Sequence, residues 1–231
     1  MAGVSRLTVE RRRGRRPEAA RLPDGPIIVI ANHTSYADGV LLALACRRLG
    51  RSLRLLATSG VFRAPIVGRI ITRLGFIPVA RGGPAAAHAL DAAEAALAAG
   101  EAVGVFPEGR ITRDPNQWPE RAKTGAVRLA LRSGAPIVPV AMVGAQQVVG
   151  RKRIAVRLLS NVLLRPRVDV VVGRPIDVRA LVGDVPEPSP DAVRRAADLV
   201  MGELITLVAD VRQLDPEHAV GAPRVEAATV E

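Results

Sequence analysis

Residues 26–39 read PIIVIANHTSYADG. The run from Pro26 to Ala31 is apolar without a polar break, which is the composition of a strand covered on both faces. Asn32 to Ala37 are small and mostly polar. Asp38 then opens DGVLLALACRRLG (38–50), a helical stretch closed by glycine. A buried strand that passes through a short loop into a helix is one step of an α/β layer. Ligands in such sheets gather at the loops that leave the carboxyl ends of strands. His33, one of three histidines in 231 residues, stands in such a loop.

The same alternation continues outward. LRLLA (53–57), FIPVA (76–80), AVGVF (102–106), PIVPVAMV (136–143) and RVDVVVG (167–173) read as strands. PIVGRIITRLG (65–75), the alanine-rich stretch 84–100, TGAVRLALRSG (124–134) and residues 190–212 read as helices, and residues 107–123 as a polar loop. The expected fold class is α/β: a single layered domain over residues 23–213 with a central, largely parallel or mixed sheet flanked by helices. Residues 1–22 are expected to be a flexible basic segment and 214–231 a disordered tail.

The net charge is +11, and Lys123 and Lys152 are the only lysines. A GC-rich genome accounts for the arginine-to-lysine ratio but not for the excess of cations, which implies an anionic partner. The single cysteine, Cys46, excludes an internal disulfide framework and a cysteine-based zinc site, and points to a reducing, cytoplasmic compartment. No secretory signal is expected from MAGVSRLTVERRRGRR, and no transmembrane helix from the uncharged stretch 133–150, which two prolines and three glycines interrupt.

Asp38 follows His33 by five residues. On one continuous helix that separation turns the side chains about 500° apart, so they meet only if the chain turns between them; Thr34 or Ser35 offers a cap for that turn. If they meet, the imidazole can take a proton from an alcohol while the carboxylate fixes its tautomer. On spacing alone a plainer reading also stands, with Asp38 facing the helix dipole and His33 capping a loop.

NHTSYAD (32–38) resembles the N-H-x-S-x-x-D block of the glycerolipid acyltransferase family, which includes the 1-acylglycerol-3-phosphate acyltransferases. RAPIVGRIITRLGFIPVAR (63–81) is similar to the family's second block, VFPEGRITRD (105–114) to its F-P-E-G block, and GAPIVPVAMVG (134–144) to its fourth. The four fall in the family's order over roughly residues 25–180. The resemblance implies the glycerol-phosphate acyltransferase fold. It also implies transfer of an acyl group from coenzyme A or acyl carrier protein to a hydroxyl of lysophosphatidate, making phosphatidate. His33 would be the base and Asp38 its orienting partner, with no metal, no cofactor and no covalent acyl-enzyme. That agrees with the lack of a G-x-S-x-G elbow and with Cys46 lying in an apolar helical pattern.

The resemblance further assigns Arg81 to the acceptor phosphate and Glu108 with Gly109 to acceptor binding. Two departures bear on the acceptor. Where the family continues E-G with threonine and arginine, this chain has Arg110 and Ile111, so Arg110 or Arg113 would replace the usual contact. Thr58, Ser59 and Gly60 stand where many members carry lysines and a glutamate. The same chemistry on a glycolipid or amino-acid lipid is therefore the competing reading, and a non-catalytic lipid-binding relative is another.

His88 and Asp91 are three apart on the alanine-rich helix and His218 lies in the tail, too scattered for a metal site. Trp118 could dip into lipid, cover the site or anchor the loop. In the 65–74 helix, Ile66, Val67, Ile70, Ile71 and Leu74 share one side, with Arg69 and Arg73 at its edge. This suits an interfacial helix or one packed on the core. With the N-terminal arginines Arg11, Arg12, Arg13, Arg15 and Arg16, it predicts reversible, charge-dependent association with the inner face of the cell membrane rather than insertion. Nucleic acid is not expected as a partner, because aromatics are 2% of the chain and no stacking platform is visible.

Overall fold

Every residue of Ile27–Ala31 is buried, as an unbroken apolar run requires. A computed structural model gives the fold and describes residues 6–11, 21–79, 84–148, 167–183 and 185–212. Its strands are β1 (Arg6–Arg11), β2 (Ile27–Ala31), β3 (Leu53–Thr58), β4 (Ile77–Val79), β5 (Ala102–Val105), β6 (Ile137–Val143) and β7 (Arg167–Val172). Its α-helices are α1 (Asp38–Arg48), α2 (Pro65–Arg73), α3 (Pro84–Ala98), α4 (Gly125–Ser133), α5 (Ala145–Val148), α6 (Val178–Val182) and α7 (Pro190–Arg212), and a 3-10 turn spans Ser59–Arg63.

Among the described residues the strands form one seven-stranded sheet in the order β1-β7-β6-β2-β5-β3-β4. The five from β6 to β4 are mutually parallel. β7 is antiparallel to β6, and β1 is parallel to β7, so the sheet is mixed, within the expected class. The period-two geometry of β2 divides its side chains between two cores. Ile28 and Ile30 pack with Leu97, Leu129, Met201 and Leu204 on one face. Ile27, Val29 and Ala31 pack with Leu42, Cys46, Ile71 and Phe76 on the other. α3, α4 and α7 thus cover one face, and α1 with one residue of α2 the other.

The predicted elements from β2 to α7 all occur, with ends moved by a residue or two. The correction lies in the lead-in, where arginine density suggested no order. Arg6–Arg11 pairs with β7 from Arg6 opposite Arg167 to Arg11 opposite Val172. RLTVER alternates with the period of a strand, and the outer edge of β7 offers it unpaired backbone groups. The tail expected over 214–231 lies outside the described residues.

Candidate active site

β2, β5 and β3 are neighbours that run the same way, so the loops leaving their carboxyl ends open on one edge of the sheet. The loop after β2 carries Asn32 to Ala37. The loop after β5 carries Phe106 to Thr124. The segment after β3 is the 3-10 turn that leads into α2.

Asn32 fixes the first loop. Its amide nitrogen donates to the Met142 carbonyl at 2.8 Å, and its amide oxygen accepts from the Met142 N–H, also at 2.8 Å. This buried two-bond clasp joins the end of β2 to β6. The chain then turns. Ser35 Oγ accepts from the Ala37 N–H at 3.1 Å. Asp38, at the first position of α1 and fully buried, accepts through Oδ2 from Thr34 N at 2.6 Å and Ser35 N at 2.8 Å. The turn that the His–Asp reading needs is therefore built by the Ser35 hydroxyl and by Asp38 itself. The Thr34 hydroxyl has no hydrogen-bond partner among the described residues.

The two side chains meet. His33 Nδ1 lies 2.9 Å from Asp38 Oδ2. A carboxylate is a standing acceptor, so Nδ1 carries the proton and Nε2 presents a lone pair. Phe106 stacks on the imidazole with centroids 4.1 Å apart and planes 13° from parallel. The ring is thus held at one edge by Asp38 and over one face by Phe106, and its side chain keeps 19% exposure.

Glu108 braces this arrangement. It is buried, with Oε1 accepting from His33 N at 3.1 Å and Oε2 from Glu120 N at 3.0 Å. Burial pushes its carboxyl up to about 7, against the pull of those two N–H donors; the Glu120 and Asp38 carboxylates push the same way. Both of its oxygens are thus used within the protein, one at the backbone of the dyad's histidine. A further bond, Thr112 N to His33 O at 2.8 Å, sews the two loops together.

Gly109 has φ +68°, which disfavours any L side chain, and a Cβ there would meet Lys123 Nζ at 2.8 Å. Lys123, to which the sequence reading gave no role, therefore lies directly over the E-G pair. Arg110 pairs with Glu120 at 2.9 Å. Arg113 offers its backbone N–H to Glu120 at 3.2 Å and its side chain is exposed. Arg81 lies outside the described residues. The cations that the structure brings beside Glu108 and Gly109 are thus Arg110, Arg113 and Lys123. Asn32, Phe106 and Lys123 are the residues that sequence reasoning left without a task. Their only signals were membership of the quoted blocks for the first two and the rarity of lysine for the third.

The remaining candidates are structural. Cys46 is buried in α1, and burial pushes its thiol up to about 12 against the opposing charge of Arg51, far from a nucleophile's range. Trp118 is buried in the core, with the Arg212 guanidinium 4.9 Å over its ring, so it anchors the loop. Asp91 pairs with Arg132 at 3.1 Å. His88 falls in α3 with its side chain outside the described set, and His218 lies outside the described residues.

A sequence profile described as Acyltransferase matches residues 9–143. The chain is similar to the chloroplastic 1-acyl-sn-glycerol-3-phosphate acyltransferase of Brassica napus, 30% identical over 52% of this chain and 34% of that one. It is similar to the chloroplastic enzyme of the same name from Arabidopsis thaliana, 27% identical over 66% of this chain and 40% of that one. The chain thus spans about a third to two fifths of these relatives. Its fold is that of the 1-acyl-sn-glycerophosphate (LPA) acyltransferase PlsC of Thermotoga maritima, with a TM-score of 0.61 at 22% identity over 90% of this chain and 73% of that one.

Proposed function

The chain belongs to the acyltransferase family, and from that premise we propose that it moves a fatty acyl group from an acyl thioester to a hydroxyl of lysophosphatidate. The observation that carries this reading is the 2.9 Å contact between His33 Nδ1 and Asp38 Oδ2, at a sheet edge, with Nε2 left for substrate.

The acceptor hydroxyl oxygen attacks the thioester carbonyl carbon while its proton passes to His33 Nε2. Asp38 holds the resulting imidazolium. The tetrahedral intermediate collapses, the C–S bond breaks, and the thiolate leaving group takes the proton from Nε2. The products are the ester, phosphatidate, and a free thiol on coenzyme A or carrier protein. No acyl-enzyme forms, because the thioester is already activated. The acceptor phosphate falls to the cations beside Glu108 and Gly109, with Arg113 and Lys123 the best placed since Arg110 is engaged by Glu120. The reaction takes place at an anionic membrane surface, where the net charge of +11 favours binding.

A thiol-release assay with palmitoyl-coenzyme A tests this. Lysophosphatidate-dependent release that His33→Ala abolishes supports the reading. Release with a glycolipid or amino-acid lipid alone keeps the chemistry and replaces the acceptor. No release with either coenzyme A or carrier-protein thioesters, across all acceptors, leaves a lipid-binding relative and overturns the proposal.

A further inference from the structure

The exposed large apolar side chains among the described residues concentrate in one place. Ile66 is 72% exposed and Tyr36 65%, and Val61, Val67 and Ile70 are exposed beside them in sequence. Ile66 and Ile70 are one helical turn apart on α2, with Val67 between them on the same side. The sequence pattern left open whether this apolar side enters the core. It does not: only Ile71 and the small Gly68 of α2 are buried, and Gly68 lies against the Phe62 backbone of the 3-10 turn with no space for a Cβ.

The position matters as much as the exposure. The 3-10 turn and α2 leave the carboxyl end of β3, the edge at which β2 delivers His33 and Asp38. Tyr36 belongs to the dyad loop itself. Arg63, Arg69 and Arg73 are exposed on the same segment, and none forms an ion pair among the described residues. The result is an apolar ridge fringed by unpaired cations, next to the mouth of the site.

We propose that the Val61–Arg73 face, with Tyr36, seats on an anionic phospholipid surface. Charge selects this occupant. Apolar tips enter the headgroup boundary while arginines bind the lipid phosphates around them. A second copy of the chain would set the same three arginines against each other on a molecule of net charge +11. On the acyl-transfer reading, on which this consequence rests, the seating turns the dyad toward the bilayer, so that an acceptor reaches His33 without its chain crossing water.

The test uses the full chain with Ile66→Cys carrying an environment-sensitive fluorophore. Cys46 is fully buried and stays unlabelled. Vesicles are phosphatidylcholine alone or mixed with phosphatidylglycerol. The expected result is a blue shift on the mixed vesicles only, reversed by about 0.5 M NaCl, and none from the same label at Leu199→Cys on α7. The double variant Ile66→Glu/Ile70→Glu, both sites exposed and so tolerant, should bind mixed vesicles roughly tenfold less or weaker with unchanged circular dichroism. Absence of binding to mixed vesicles overturns the proposal, as does binding with a silent label at position 66. A blue shift that grows with protein concentration in the absence of lipid makes the occupant a second copy and also overturns it. No turnover enters these readouts, so they stand or fall apart from the acyl-transfer assay.

Discussion

The Asp38 carboxylate holds His33 Nδ1 at 2.9 Å through the same oxygen that caps the Thr34 and Ser35 N–H groups at 2.6 and 2.8 Å. One atom therefore builds the turn and orients the base. Asp38→Asn can keep its oxygen on the two N–H groups but loses the charge that stabilises imidazolium. We expect turnover to fall by about 10²–10⁴ with a small change in stability, and His33→Ala plus Asp38→Asn to be no slower than His33→Ala alone. Additive losses in the double variant would argue against a dyad. Asp38→Ala should also destabilise the fold, by about 1–3 kcal/mol for each buried N–H left unpaired.

Glu108 gives a pH signature. Its folded value, about 7, lies above the ordinary 4.5, so the folded state holds the proton more tightly than the unfolded chain. The stability it contributes is full below about 4.5 and is lost as pH rises through about 7, by on the order of 3 kcal/mol across that window. Glu108→Gln removes this dependence. It also sets an amide N–H against a backbone N–H at His33 or Glu120, at about 1–3 kcal/mol. Urea denaturation at about pH 5 and about pH 8 should show the gap between variant and native protein shrinking at the higher pH. Parallel pH dependences in the two would refute the assignment.

Asn32 is expected to matter for stability before chemistry. Asn32→Ala orphans the buried N–H and C=O of Met142, each worth about 1–3 kcal/mol. Asn32→Asp keeps the acceptor but turns a carboxylate oxygen on the Met142 carbonyl. Both should lower the urea midpoint. An unchanged midpoint for Asn32→Ala would mean that water replaces the clasp.

Lys123 and Arg113 are exposed, so their removal should leave the melting temperature alone. If they hold the acceptor phosphate, Lys123→Ala and Arg113→Ala each raise the acceptor KM roughly tenfold, as loss of one charged hydrogen bond does, with thioester KM unchanged. Gly109→Ala should act on both readouts, because it strains φ at about 1–2 kcal/mol and displaces the Lys123 ammonium. An acceptor KM indifferent to all three would move the phosphate site elsewhere.

The buried Cys46, with its thiol raised to about 12, should resist thiol reagents in the folded protein and react only on unfolding. Inactivation by such a reagent under native conditions would reopen the question of a cysteine nucleophile.

The sequence by itself determined the alternation of strands and helices, because apolar period and glycine stops are local properties. Block order likewise singled out His33, Asp38, Glu108 and Gly109 without a structure. What those residues touch was not local. Asn32 meets Met142 across 110 positions and Glu108 meets the His33 N–H across 75, contacts that only the register of β2 with β5 and β6 decides. Glu108 is consequently a brace at the dyad's backbone, where residue type alone suggested an acceptor contact. The strand at Arg6–Arg11 was missed for a related reason: its partner, β7, begins at Arg167. α2 marks the same limit. Periodicity established that the helix has an apolar side, but whether that side meets a core or a solvent-facing edge depends on what the rest of the chain brings to it, and here nothing among the described residues covers it beyond Gly68 and Ile71.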